Sequence, residues 1–466
     1  MKIIFENLGI LRCGEIQTKN FAVICGSNNS GKTYVTYAFY GFLKFWKNDF
    51  QIPVDKKIIS KLKETGVYTL NLLDYQKPER AQSIIDMACS EYRHELPFTF
   101  SASQNKFENV RFEIQAEDGE VRLLKTVYSG GLKPSNSNHE MLRYQKEEGR
   151  SDIVFTLFAE NASEEIPDFI VMHAINQAIK NTVFCSIFPD VFIVSAERTG
   201  AAIFRGELNF ARNKLLDALS DKDKKITPLD LIGKTVSDYA LPVDDNVDFI
   251  RSLESVSKTN SFLVEQHPEI LKRFSDILGG DYQTKNGELY FVPTKKSVKL
   301  SMDESSSSVR SLLLLGFYLR HIAKPNDLLM IDEPELNLHP ENQRKVARLL
   351  ASLVSCGLKI FITTHSDYIL RELSNLVLLN GDRQHLSKIL EDEGYIKEEL
   401  LPESEVCVYI AKKDKVLLPG KDKGKKQTHQ TLVNVKVDNE QGIHISSFDE
   451  TIETMNRITD AIIYGE

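Results

Sequence analysis

A chain of 466 residues has room for two or three folded units, and its 42% apolar and 27% charged residues are ordinary for a folded soluble protein. A net charge of −8 gives no global sign of nucleic-acid binding and leaves room only for a local basic patch. Six scattered cysteines with no C-x-x-C pair argue against a zinc site and a disulfide framework, and no apolar run approaches the roughly 18–20 residues of a membrane span. Met1-Lys-Ile-Ile-Phe-Glu6 reads as a first strand rather than the apolar core of a signal peptide, so a reduced, cytoplasmic location without a membrane partner is expected.

Residues 2–25 alternate short apolar runs with turn signals such as Asn7-Leu-Gly9 and read as two or three strands. The last run, Phe21-Ala-Val-Ile-Cys25, leads into Gly26-Ser-Asn-Asn-Ser-Gly-Lys-Thr33, which fits G-x-x-x-x-G-K-T. Tyr34-Val-Thr-Tyr-Ala-Phe-Tyr40 then reads as a buried helix that runs to about Trp46. Strand, glycine loop and helix are the context a phosphate-binding loop needs. The glycines let backbone N–H groups turn inward, and the helix N-terminus adds its positive dipole end. Gly26, Ser27, Asn28, Asn29, Ser30, Gly31, Lys32 and Thr33 are therefore expected to cradle the phosphates of ATP, with Lys32 neutralising charge and Thr33 ligating Mg²⁺.

Beyond residue 48 the pattern is mixed, with a helix expected over 81–93. Val110-Arg-Phe-Glu-Ile114 and Val121-Arg-Leu123 alternate with period two, and Asp118-Gly119 between them is a hairpin signal. Residues 129–150 are polar and read as a loop. Phe169, Met172, Ile175 and Ile179 recur at helical spacing and predict a helix over 168–184. Val191-Phe-Ile-Val194 is a buried strand ending in Ser195-Ala-Glu-Arg198. Charged helical patterns at 204–219, 247–256 and 268–278 read as a helical insertion. Asn286-Gly287 turns a hairpin between 281–284 and 289–292, followed by a strand at 297–300. From 305 to 379 the pattern is helix, strand, helix, strand, helix, strand, and the residues after 380 are mixed strands ending in a helix near 448–463.

The second chemical motif is Leu328-Leu-Met-Ile-Asp-Glu333, in which four apolar residues deliver two carboxylates to the C-terminal end of a strand. Open α/β sheets bind ligands at that end. Asp332 is suited to hold Mg²⁺, directly or through water, and Glu333 to orient and deprotonate an attacking water. A strand followed by two solvated acids is the plainer reading of this segment on its own.

Ile331-Asp-Glu-Pro-Glu-Leu-Asn-Leu-His-Pro340 resembles the extended Walker B and D-loop of ABC-type ATPases of the RecF/SMC/OLD group, and Ile360-Phe-Ile-Thr-Thr-His-Ser366 resembles their switch-histidine strand. The likeness is greatest to the compact AAA15/AAA21 ATPases of bacterial anti-phage systems such as PARIS and Septu. It covers residues 1–46 and 300–380 well and the middle in outline. It implies an α/β fold, an ABC-type P-loop ATPase head with a mixed sheet, an antiparallel β subdomain and a short helical insertion. The expected divisions are an N-lobe at 1–199, the insertion at 200–280, a C-lobe at 281–384 and a C-terminal α/β extension at 385–466.

The resemblance also implies roles. His365 would touch the γ-phosphate in cis, and residues 337–339 would form the D-loop that meets a second protomer. Glu304-Ser-Ser-Ser-Ser-Val-Arg-Ser-Leu312 stands where the family carries its signature helix, so Ser306 and Ser307 would meet the γ-phosphate bound by another subunit. The glycine usual in that signature is absent here, and a serine-rich turn ahead of a helix is the alternative. Ser195-Ala-Glu-Arg198 resembles a lobe-connecting segment, with Arg198 either near phosphate or partner, or in a surface ion pair.

A fused nuclease is not expected. Val406-Cys-Val-Tyr-Ile410 is followed by Ala411-Lys-Lys-Asp-Lys415 rather than Glu-Gly, and Val437-Asp-Asn-Glu440 is not Asp-x-Asp. The lysines at 412–426 read either as a solvated hairpin tip or as a contact for nucleic-acid phosphates. The reading is an ATP-hydrolysing switch that uses ATP and Mg²⁺. It forms an ATP-dependent head-to-head dimer or higher homo-oligomer and controls a separate effector protein, a nuclease. The alternatives are a RecF-like DNA-repair ATPase whose ATP-bound dimer clamps DNA, and a non-enzymatic module that holds ATP structurally.

Overall fold

Three strands open the chain, β1 (Lys2–Leu8), β2 (Leu11–Gln17) and β3 (Phe21–Cys25), and helix α1 (Lys32–Asn48) follows the glycine loop. The computed structural model describes residues 1–117, 119–123, 127–132, 140–158, 166–203, 239–285, 288–294, 298–416, 426–444 and 446–464. By its internal contacts the chain divides into two compact units.

One unit comprises Met1–Phe5, Gly41–Leu96 and Asn109–Asp190. It contains β4 (Val67–Asn71), α2 (Pro78–Tyr92), β5 (Arg111–Gln115), β6 (Tyr128–Leu132), β7 (Leu142–Lys146), β8 (Asp152–Leu157) and α3 (Asp168–Ile179). Strands β4, β8, β7 and β6 form an antiparallel sheet in that order. The loop expected over 129–150 thus holds two strands. Their apolar side is made by Leu142 and by the stacked rings of Tyr128 and Tyr144, centroids 5.9 Å apart, and such a pair leaves no run of aliphatic residues to read.

The strand expected at 121–123 is absent. Gly119, at φ +78°, helps close a turn in which the Glu117 N–H donates to Glu120 Oε2 (2.9 Å), and β5 lies beside β1 instead. Asp118 of that expected hairpin lies outside the described residues. Helix α2 covers the helix expected at 81–93, and α3 continues as a π-helical turn, Lys180–Phe184. This unit's core is aromatic. The ring of Trp46 lies 4.5 Å from Phe188, 5.1 Å from Phe184 and 5.3 Å from Phe50 between centroids, and Phe42 adds edge contacts to Tyr92 and Phe188.

The other unit comprises Glu6–Tyr40, Pro97–Glu108 and Val191–Glu466. It adds β9 (Val191–Val194), β10 (Gly280–Lys285), β11 (Glu288–Pro293), β12 (Leu300–Ser301), α4 (Ser307–Phe317), β13 (Leu328–Asp332), α5 (Pro340–Ser355), β14 (Lys359–Thr364), α6 (Asp367–Leu378), β15 (Val406–Val416), β16 (Gln427–Val435) and α7 (Ser446–Tyr464). Its large sheet runs β1-β2-β16-β15-β3-β14-β13-β9. The pairs β15–β3, β3–β14, β14–β13 and β13–β9 are parallel, and β15–β16 is antiparallel, so the sheet is mixed.

Strands β3 and β13 are buried at every residue, which is why they read as unbroken apolar runs; parallel strands covered on both faces show no alternation. Leu349, Leu350 and Leu353 of α5 and Leu373 and Leu376 of α6 pack into one core with Val23, Ile360 and Ile362. The strand expected before residue 379 is the end of α6. Strands β10 and β11 pair antiparallel with Lys285 opposite Glu288, the expected turn residues Asn286 and Gly287 lying outside the described residues; of the strand expected at 297–300, the described residues 298–300 contribute only Leu300, the start of the short β12. Helices Leu241–Arg251 and Pro268–Leu278 occupy part of the expected insertion, and the helix expected at 204–219 lies outside the described residues. Among the described residues no helix is long and apolar enough to cross a membrane.

The aromatic cluster gives a direct test. Phe42→Ala is expected to destabilise its unit by about 3–5 kcal/mol. Urea unfolding followed by the fluorescence of Trp46, the only tryptophan, reads this without labelling. A loss under about 1 kcal/mol would contradict the packing described.

Candidate functional site

Parallel pairing brings three chain segments to one end of the sheet. Thr364 at the end of β14 is opposite Cys25 at the end of β3, and Asp332 at the end of β13 is opposite Thr363. The glycine loop, His365 and the pair Asp332-Glu333 therefore all leave the C-terminal edge of the sheet side by side.

Backbone geometry explains the loop's residue types. Gly26 stands at φ +144°, and a Cβ there would lie 2.7 Å from the Ala411 carbonyl oxygen of β15. Gly31 stands at φ +98° against Leu11. Glycine is the residue that fits both constraints at once. Asn29 takes the left-handed conformation at φ +58°, which asparagine tolerates.

Lys32 is buried, and its ammonium donates to the carbonyl oxygens of Gly26 (3.0 Å) and Ser27 (2.9 Å) rather than to a carboxylate. Burial holds it below the ordinary lysine range, opposed by the nearby charges of Glu333, Asp332 and Glu335. Ser30 Oγ is buried without a hydrogen-bond partner among the described residues. Thr33 Oγ1 donates to Asp332 Oδ2 at 3.2 Å, and Thr363 Oγ1 donates to Asp332 Oδ1. Asp332 is 1% exposed, and burial pushes its carboxyl up to about 6, helped by the charges of Glu333 and Glu197 and opposed by the two threonine hydrogen bonds.

Glu333 takes φ +54°, an uncommon backbone state for a residue with a Cβ. Its N–H donates to the Thr363 carbonyl (3.0 Å). His365 Nδ1 lies 3.5 Å from Glu333 Oε1 and 3.3 Å from Glu335 Oε1. Glu335 also accepts from Thr364 Oγ1 and the His365 N–H, each at 2.8 Å, so it fixes the loop that carries the histidine. Its other oxygen is buried and has no partner among the described residues.

These groups surround a cavity of about 630 Å³, lined by Ile10, Asn28 to Tyr34, Glu333 and His365. Its size suits a nucleotide. A buried lysine without a carboxylate partner, an orphaned serine hydroxyl and two glycines at positive φ are what a bound polyphosphate would satisfy. Thr33 and Asp332 suit Mg²⁺, a hard cation that takes one or two carboxylates and completes its shell with phosphate oxygens and water.

Ser306 and Ser307 stand apart from this cavity's lining. Ser306 is exposed and is the N-cap of α4, its Oγ accepting from the Val309 N–H (3.4 Å); Ser307 is the first residue of that helix and is also exposed. In the 337–339 segment, Asn337 stands at φ +59° and both it and His339 are exposed.

Arg198 does not form the surface ion pair that was one of its two expected roles: it is 2% exposed and donates to the main-chain carbonyls of Asp332 and Glu333. Glu335, Thr363 and Thr364 went unassigned. Their signal was adjacency alone, since each lies within two residues of Glu333 or His365.

Residues 1–370 match the family described as AAA ATPase domain. A comparison with curated proteins finds no match. Among solved structures, an SMC head domain from Thermotoga maritima is 11% identical, covering 94% of this chain and 98% of that one at a TM-score of 0.32. An SMC head with an extended coiled coil, bound to the C-terminal domain of ScpA derived from Pyrococcus furiosus, is 14% identical, covering 98% of each chain at a TM-score of 0.30. Likeness at these scores adds nothing to the assignment, which stands on the matched residues.

The elevated carboxyl of Asp332 makes a signed prediction. Between the ordinary 3.8 and about 6 the folded protein keeps a proton that the unfolded chain has lost. The group therefore favours folding fully only below 3.8, and that contribution is gone once pH rises past about 6. Asp332→Asn should raise the melting temperature of the nucleotide-free protein at pH 7.5 by a few degrees, a gain that shrinks toward pH 4.5, and should remove stabilisation by Mg-ATP. Thermal melts at both pH values check this. Equal melting temperatures at pH 7.5 would contradict it.

Proposed function

The chain belongs to the AAA ATPase domain family, and on that premise we propose that it binds Mg-ATP in the cavity beside the glycine loop and hydrolyses it there. The observation that carries the reading is the convergence of Lys32, Thr33, Asp332, Glu333 and His365 on one sheet edge, with the threonine hydroxyl already on the aspartate.

Each side chain has a part in this reading. Lys32 is a buried cation held by its own loop's carbonyls and free to turn toward phosphate oxygens. Thr33 and Asp332 hold the metal. Bound Mg²⁺ would neutralise phosphate charge and relieve the crowding of carboxylates around Asp332. Glu333, one residue past the metal-binding carboxylate, takes the proton of the attacking water. His365, steadied by Glu335 through both its N–H and its ring, lines the cavity beside Glu333.

At the finer level we read the chain as an ATP-driven switch whose Ser306 and Ser307 close over the nucleotide of a second protomer. It would hold and release a separate effector, a nuclease, in an anti-phage system. Support comes from the resemblance of residues 331–340 and 360–366 to such ATPases, and from the exposure of Ser306, Ser307, Asn337 and His339. A second reading, an ATP-dependent DNA clamp, draws on the exposed Lys412, Lys413 and Lys415 of β15. ATP-dependent DNA binding that weakens steeply with salt would favour the clamp over the effector switch.

Phosphate release and binding of a fluorescent ATP analogue test the shared core of both. Lys32→Ala should lose nucleotide affinity by about 10²-fold or more. Glu333→Gln should keep its affinity and lose about 10²–10⁴-fold in kcat. Turnover by Glu333→Gln at the wild-type rate would sink the assignment of the base, and wild type that releases no phosphate would sink the ATPase reading.

A further inference from the structure

Arg198 begins the short helix Arg198–Ile203 that follows β9. A guanidinium this buried commonly faces a carboxylate. Here its hydrogen bonds end on main-chain carbonyls: Nε on Ser311 (2.9 Å), one terminal nitrogen on Ser195 (2.9 Å) and Asp332 (2.8 Å), and the other on Glu333 (2.6 Å). Those oxygens belong to three separate segments: the loop after β9, the second turn of α4 and the end of β13. Burial lowers the group to about 10, so it stays charged at neutral pH.

The clamp closes on the least relaxed backbone in the site. Glu333 stands at φ +54°, and its carbonyl takes the Leu336 N–H (3.1 Å) as well as Arg198. With its N–H bound to Thr363, Glu333 is held from both sides, and its backbone fixes where the carboxylate starts. The other end of the clamp is Ser311, five residues beyond the cap Ser306 and about 7.5 Å along a helix. A helical segment that short moves as one body, so displacement of the serine-capped end reaches Arg198 directly.

We infer that Arg198 is a positioning residue that holds Glu333 in its left-handed conformation and couples that geometry to α4, so that turnover depends on where the Ser306 end of the helix lies. This rests on the ATPase reading above. Arg198 is not among the residues lining the cavity; it acts through Glu333. Lysine cannot replace it, because a single ammonium does not reach the divergent carbonyls that a planar fork spans.

The test compares full-length wild type, Arg198→Lys, Arg198→Met, Ser306→Ala and Arg198→Lys combined with Ser306→Ala. The readouts are phosphate release, affinity for a fluorescent ATP analogue with Mg²⁺, and melting temperature. Arg198→Lys keeps the charge and Arg198→Met the volume, so a variant that fails to fold leaves the other to decide. The expected result is a loss of about 10²-fold in kcat, with nucleotide affinity within about threefold of wild type. Ser306→Ala should add nothing further in the Arg198→Lys background. Either folded variant turning over within about threefold of wild type overturns the inference. So does a fall in kcat matched by an equal fall in nucleotide affinity, which marks general damage, and so do fully additive effects of the two substitutions. Wild type that binds ATP without releasing phosphate overturns the ATPase reading and this inference with it; wild type that turns over beside unimpaired Arg198 variants overturns the inference alone.

Discussion

Asp332 is a carboxylate held out of water at the end of a parallel strand, and its neighbours are arranged around the cost of keeping it there. Two threonines donate to it, Thr33 from the glycine loop and Thr363 from the adjacent strand. Glu333 and Glu197 press against it with like charge. The two buried cations nearby do not neutralise it by contact, since Lys32 and Arg198 both spend their hydrogen bonds on carbonyl oxygens. A buried corner with more acid than base, its carboxylate already fixed by two hydroxyls, suits a divalent cation.

The same corner depends on chain segments far apart in sequence. The glycine loop rests on β15, where Ala411 leaves no space for a side chain at position 26, and Gln430 of β16 donates to the Ser30 carbonyl at 3.0 Å. Residues near 410–430 thus help set the shape of a loop at 26–33. Glu333, the proposed base, is similarly placed by distant partners, with Thr363 on one side and Arg198 on the other. What looks in one dimension like two short motifs is in three dimensions a contact of at least five segments.

Much of this was legible in the residues because the motifs carry their own physics. An apolar run, two glycines and a lysine admit few structures, and the boundaries of β3 and β13 follow from unbroken apolar stretches of the kind a parallel strand covered on both faces needs. Where signals were weak the outcome differed. Strands β6 and β7 carry glycines and polar residues and gain their apolar face from tyrosine rings, so period two is hidden. The fragment at 121–123 has the alternation of a strand but follows a turn closed by Glu117 and Glu120, and β5 pairs with β1 instead. The position of β15 beside the glycine-loop strand has no local signature at all, because strand order is set by tertiary packing. Arg198 was visible as a charge after a buried strand, but its burial depends on carbonyls from α4 and β13 that no local pattern announces.

The most direct measurement is the mass in solution of Glu333→Gln with and without Mg-ATP, beside Lys32→Ala under the same conditions. If nucleotide held at Lys32 and Asp332 draws the exposed serine-capped helix of another copy over it, Glu333→Gln should gain mass in steps of one chain when Mg-ATP is added, and Lys32→Ala should not. A mass that is the same for both variants with and without Mg-ATP would contradict the account of a nucleotide-closed assembly.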